Sequence, residues 1–172
     1  MALNRRQRLR RVGILCCHTL MNLAFYRAWH EAGKPHETEQ FWVLASGNFA
    51  DMTVLEWCKL FADSRSRHHW TKVVQDQHAF VAGLLHAIGK TQHEFDAYIE
   101  QMRFLRDKFI AHLDDEQVMT LPLLTVARAS TIYLYNYLRQ NEDDGDAYVD
   151  AAADPADFYS RYFDEAAAVY RR

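Results

Sequence analysis

The run Arg106-Asp107-Lys108-Phe109-Ile110-Ala111-His112-Leu113-Asp114 puts a permanent cation, an adjacent carboxylate and an ionisable imidazole close together. Arginine can hold two phosphate oxygens at once through its planar fork. Histidine can give or take a proton near neutral pH. These side chains suit phosphate chemistry without a metal. Lys108 and Arg103 are further candidates for contact with phosphate. Asp107 stands four residues after Arg103 and can pair with it on a helix. Asp114, two residues after His112, is a candidate for orienting the imidazole.

Other chemistries fit the chain less well. It has nine histidines, but a di-iron bundle needs Glu-x-x-His pairs, and no histidine has a Glu three residues before it. His-Glu-x-x-His is also missing. His78, His86 and His93 are eight and seven residues apart, which does not put two ligands on adjacent turns. No metal and no cofactor are therefore expected. Cys16 and Cys17 neighbour His18, but adjacent helical positions diverge, so they read as core cysteines. No serine sits in a strand-to-helix elbow, and no glycine-rich phosphate loop occurs.

The elements that must position the run are helices. Period-two alternation is nearly absent, whereas three- and four-residue steps recur. Val12, Leu15, Cys16, Leu23, Tyr26 and Trp29 mark a first helix that stops near Gly33-Lys34-Pro35. A second is expected over 37–63, with Phe41, Leu44, Ala45, Phe49, Met52 and Leu55 as its core face. Gly47 there suggests a kink or a close helix contact. Residues 64–69 form a polar loop in which His68 and His69 face solvent or pack at the surface. A third helix covers about 72–88, with Phe80, Val81, Leu84, Leu85 and Ile88 inward. Thr91 and Glu94 form a capping box that opens a fourth, striped by Phe95, Tyr98, Ile99, Met102, Leu105 and Phe109. Pro122 opens a fifth, striped by Leu123, Ala127, Leu134 and Leu138. Tyr133, Tyr135 and Tyr137 circle it as packing residues. Residues 141–154 read as an acidic, small-residue linker, and Asp154-Pro155 starts a last helix over 155–170. The expectation is one all-α domain over 1–172, a bundle of four or five helices with a short C-terminal one.

Composition agrees with this. Of 172 residues, 49% are hydrophobic and 25% charged, ordinary for a globular domain. No run of 18 or more apolar residues occurs, so no membrane span is expected. The N-terminus lacks a signal-peptide pattern, and three cysteines make no disulfide framework. A reduced, cytoplasmic protein is the expectation. The net charge of −3 argues against binding polyanions through bulk charge. Arg5, Arg6, Arg8, Arg10 and Arg11 crowd the start, and Glu142, Asp143, Asp144, Asp146 and Asp150 crowd a late segment. Each cluster reads as a solvated face. The alternative for the arginines is contact with RNA or an acidic partner.

Geometry places a condition on the opening run. Six helical residues give a rise of roughly 9 Å, and at about 100° per residue Arg106 and His112 diverge by roughly 120°. Either the helix loosens near its end, or it packs against its twin so that two copies build one cleft.

Over about residues 70–115 the chain resembles the HEPN superfamily of small α-helical proteins, which includes toxin and abortive-infection ribonucleases. Its signature is Arg, a polar residue, then His after four to six intervening residues. Arg106, Asp107 and His112 match with five. Arg11 and His18 also satisfy the loose pattern, but apolar Val12 follows Arg11. The longer Arg-Asp-Lys-Phe-Ile-Ala-His-Leu-Asp string is similar to the abortive-infection form, as is the aromatic-rich stretch beginning at His69-Trp70.

The resemblance implies a HEPN-like bundle, a homodimer and metal-independent RNA cleavage in a toxin–antitoxin or phage-defence setting. Arg106 would stabilise phosphoryl charge, His112 would be general acid or base, and Asp107 would position Arg106 or a water. An antitoxin protein is an implied partner. Some HEPN toxins carry a modifiable Tyr two residues after the His, where this chain has Asp114. Two other readings stay open. One is a non-catalytic HEPN-fold module that binds nucleotide, RNA or protein. The other is a helical interaction protein with no nucleic-acid role.

Overall fold

A computed structural model describes residues 3–111 and 121–171, and their side chains except those of 109–111. The described chain is all-helical, without strands. The helices are α1 (Arg5–Glu31), α2 (Gln40–Phe61), α3 (Gln77–Ile88), α4 (Gln92–Leu105), α5 (Leu124–Tyr137) and α6 (Pro155–Tyr170). Wide π-helical turns follow α4 over Arg106–Ala111 and α5 over Leu138–Glu142. A 3-10 turn covers Trp70–Lys72. No helix among the described residues is long and apolar enough to cross a membrane.

Caps fix the boundaries. Asn4 and Gln7 form a capping box that opens α1. At α4 the Thr91 hydroxyl accepts from the Glu94 N–H, while the Thr91 N–H donates to Glu94 at 2.7 Å, as the sequence predicts. α3 starts at Asp76, whose carboxylate accepts from the Ala79 N–H at 2.9 Å. It is shorter than the spacing predicts, because Val73 and Val74 are buried as loop residues. Gly89 ends it in the left-handed region at φ 62°, a position that favours glycine. Asp154 caps α6, with Pro155 in its first turn.

α1 packs chiefly on α2 and α6 and also touches α5, α3 lies on α5, and α4 crosses the end of α2. Trp57 of α2 sits fully buried at the centre. Its ring stacks on Phe61 at 5.1 Å and meets Tyr98 edge-on at 5.2 Å. Its indole N–H donates to Ser130 Oγ of α5 at 2.9 Å, so the one polar atom of the ring is satisfied. Gly83 lies directly against Tyr133. A Cβ there would collide with the Tyr133 hydroxyl of α5.

Three sequence expectations are corrected. The core face of α2 runs through Ala50, Thr53, Val54, Trp57, Leu60 and Phe61. Phe41, Leu44 and Met52, expected inside, are exposed. α2 has two apolar sides, and the one bearing Trp57 and Phe61 faces the interior. Gly47 makes no close contact within the chain, and the helix runs through it. Leu123 precedes α5 and is exposed rather than striped into the core.

The charged clusters and the late segment also differ in part from expectation. The arginine and acidic clusters are mostly exposed, as expected, but they meet each other, and Glu142 is buried. Arg5 donates to Glu142 at 2.6 Å, and Arg6 meets Asp146 at 3.0 Å. The Glu142 side chain is only 2% exposed and also accepts the Gln75 N–H at 2.7 Å. Residues 143–154 are irregular, as a linker would be, yet Ala147 and Tyr148 are buried. The Tyr148 hydroxyl donates to the Leu9 carbonyl at 3.1 Å.

A candidate phosphate-binding site at the end of the fourth helix

Arg106 opens the π-helical turn where α4 crosses the C-terminal end of α2. Such wide turns recur at functional sites in helices. The guanidinium is 17% exposed. Its Nε donates to Asp107 Oδ1 at 2.8 Å, and Nη1 donates to Asp63 Oδ1, just past the end of α2. The hydrogen bond from Asp107, then the bond and charge of Asp63, raise the Arg106 pKa against the partial burial that would lower it. Nη2 makes no hydrogen bond among the described residues.

The helix ends meet closely here. The Cys58 thiol donates to the Met102 carbonyl at 3.6 Å. Burial pushes its pKa up to about 12, with Arg106 acting weakly the other way. Such a buried thiol is no nucleophile. Arg103 donates to Glu100 at 2.6 Å and to the Ala62 carbonyl at 2.7 Å, closing the end of α2. Its expected pairing with Asp107 does not form. Asp107 turns to its neighbour Arg106, and the fork of Arg103 is occupied elsewhere. Lys108 is half-buried on the same π turn. His112 and Asp114 lie outside the described residues.

Sequence reasoning missed Asp63. One signal was available: a carboxylate just beyond a helix C-terminus opposes the helix dipole and calls for a nearby cation. It also misplaced His69, which is only 5% exposed. His69 Nε2 faces the Phe61 carbonyl at 3.1 Å, and Nδ1 faces the Thr71 hydroxyl at 2.8 Å. A carbonyl only accepts, so Nε2 carries the proton. Burial lowers the His69 pKa; the Phe61 carbonyl and Asp63 oppose this, and Lys72 adds to it.

Cations gather at this end of the bundle. Burial first, then Arg11, Lys59 and Arg67, hold the His68 pKa down. A shallow open hollow lined by Ala62, Asp63, Ser64, Arg65 and Ser66 adjoins Asp63. Its lining carries one cation, Arg65, and one carboxylate, Asp63. Among the described residues no cluster of three or more histidines, cysteines or carboxylates stands ready to hold a metal. No protein-family model, curated protein or solved structure matches the chain.

Proposed function

We propose that the chain is a metal-independent endoribonuclease of the HEPN type, with its site at the junction of α2 and α4. One observation carries the reading. Arg106, the arginine of the motif, is held by Asp63 and Asp107 at an end of the bundle where Arg11, Lys59 and Arg67 also gather. In the reaction the substrate 2′-hydroxyl attacks the adjacent phosphorus and loses its proton to a base. The bond from phosphorus to the 5′-oxygen breaks, and that oxygen takes up a proton. The products are a 2′,3′-cyclic phosphate and a 5′-hydroxyl. Arg106 stabilises charge on the phosphoryl oxygens. His112 acts as general acid or base, typically worth about 10²–10⁴ in rate. Asp107 and Asp63 are positioning residues for the guanidinium. Asp63 fills this role within the same chain. The setting is a cytoplasmic toxin–antitoxin or phage-defence system, with an antitoxin protein as partner and a homodimer as the working form.

The test compares RNA cleavage in EDTA by the wild type, Arg106→Ala and His112→Ala. We expect either substitution to cost at least about a hundredfold. Equal cleavage by all three proteins removes the proposal, and activity lost on chelation points to a metal. A non-catalytic module draws support from one feature, the two carboxylates that already neutralise Arg106. It requires RNA binding without cleavage in the wild type.

A further inference from the structure

A pocket of about 320 Å³ opens between α1, the loop over 147–152 and α6. That volume lies at the lower end of small-molecule sites. Tyr148, Phe158 and Tyr162 give it aromatic walls. The Tyr148 ring lies against Gly13 of α1, where a Cβ would collide with it. Its hydroxyl is already engaged with the Leu9 carbonyl at 3.1 Å, so the ring meets the pocket as an apolar surface. The loop wall also carries Ala147, Ala151 and Ala152. Their short side chains leave space that larger ones would fill.

Two opposite charges line the same pocket from different walls, Arg10 on α1 and Asp150 on the loop. Elsewhere the same stretches of chain pair their charges, Arg5 with Glu142 and Arg6 with Asp146. Arg10 and Asp150 are exposed, and neither side chain has an ion pair or hydrogen bond among the described residues. His18 also lines the pocket, but its Nδ1 faces Glu56 at 3.6 Å.

A cation and a carboxylate held apart beside aromatic walls match a small zwitterion that carries a ring. We infer that the pocket binds a free aromatic α-amino acid. The ligand carboxylate accepts from the Arg10 guanidinium, whose fork can take both oxygens. The ligand ammonium donates to the Asp150 carboxylate. The ring enters among Tyr148, Phe158 and Tyr162, where edge-on or offset contacts at about 4.5–7 Å are favourable. The flexible thioether of Met21 adapts to the remaining gap. Ligands with one charge fit less well, because a simple acid leaves Asp150 unpaired and a simple amine leaves Arg10 unpaired. A phosphate ester brings its negative charge to Asp150 with no ammonium to offset it. The pocket shares no lining residue with the Arg106 site, and binding here is independent of RNA cleavage.

Isothermal titration of the full chain with L-phenylalanine tests the proposal. The wild type should bind it with a Kd of roughly 0.1–1 mM. Phenylpropionate lacks the ammonium and phenethylamine lacks the carboxylate, and each should bind at least about threefold more weakly. Arg10→Ala should weaken L-phenylalanine about tenfold. The same variant should bind phenethylamine as the wild type does, because that amine offers Arg10 nothing to hold. Asp150→Asn should weaken L-phenylalanine about threefold. Both side chains are exposed, so the unliganded variants should keep the wild-type unfolding midpoint. No binding of L-phenylalanine by about 10 mM would overturn the proposal. So would equal binding of either singly charged analogue, or an Arg10→Ala chain that binds like the wild type. Tighter binding of phenyl phosphate than of L-phenylalanine, lost in Arg10→Ala, would replace the amino acid with a phosphate ester.

Discussion

Asp63 decides how much of the proposed chemistry the fold prepares in advance. A guanidinium held on two sides by carboxylates keeps its fork aimed, and misplacement by about 1 Å can cost on the order of a hundredfold in rate. We therefore expect Asp63→Asn to lower kcat/KM for RNA cleavage by about that factor. The ion pair lies at the surface, with Asp63 34% exposed, so the change in unfolding free energy should stay within about 1 kcal/mol. Urea denaturation beside the kinetics separates the two effects. Cleavage unchanged in Asp63→Asn would show that Arg106 needs no second anchor. The motif itself was legible in the sequence because its residues are close together in the chain. Asp63 was not, because it is forty-three positions from Arg106 and only the crossing of two helix ends joins them.

At the scale of elements, Glu142 ties together the start of α1, the loop before α3 and the turn after α5. Its two partners differ in their access to water. The Arg5 side chain is 41% exposed and can be hydrated if Glu142 is neutralised. Glu142 is almost fully buried and keeps only the Gln75 N–H if Arg5 is removed. Removing one partner of a fully buried pair costs about 3–5 kcal/mol, and exposure of Arg5 discounts that figure. We expect Arg5→Ala to cost about 2–3 kcal/mol and Glu142→Gln about 1 kcal/mol, read from urea midpoints. The reverse order would mean that the Glu142 carboxylate gains little from being charged. Helices, caps and stops were read well from sequence at this scale, since Thr91-Glu94, Asp154-Pro155 and Gly89 act on neighbouring residues. The face that each helix buries was read less well. α2 offers two apolar stripes, and only the positions of α1 and α4 decide between them.

At the scale of the whole molecule, three histidines set the response to mild acid. Burial is the leading cause that lowers the pKa of His30, His68 and His69 from 6.5. A histidine with a depressed folded pKa stabilises the fold above its unfolded pKa, and that contribution is lost as pH falls through the folded value. Stability should thus decline as pH drops below about 6.5. His69→Gln keeps a donor for the Phe61 carbonyl and should flatten the decline between pH 7 and 5.5. Glu56 and Asp51, whose pKa values burial raises, act in the opposite sense at lower pH. An unfolding midpoint that stays level over this range in the wild type would contradict the assignment.

The place of α1 in the bundle has a consequence for synthesis. α1 is made before the other five helices, yet it packs against α6, the last of them. Trp29 and Ala28 of α1 find their cover in Ala166 and Tyr170 of α6. On the ribosome these apolar side chains wait until α6 has emerged. Contacts between such distant segments slow folding and prolong exposure of sticky surface. The nascent chain therefore stays a ready client for chaperones until α6 has been translated.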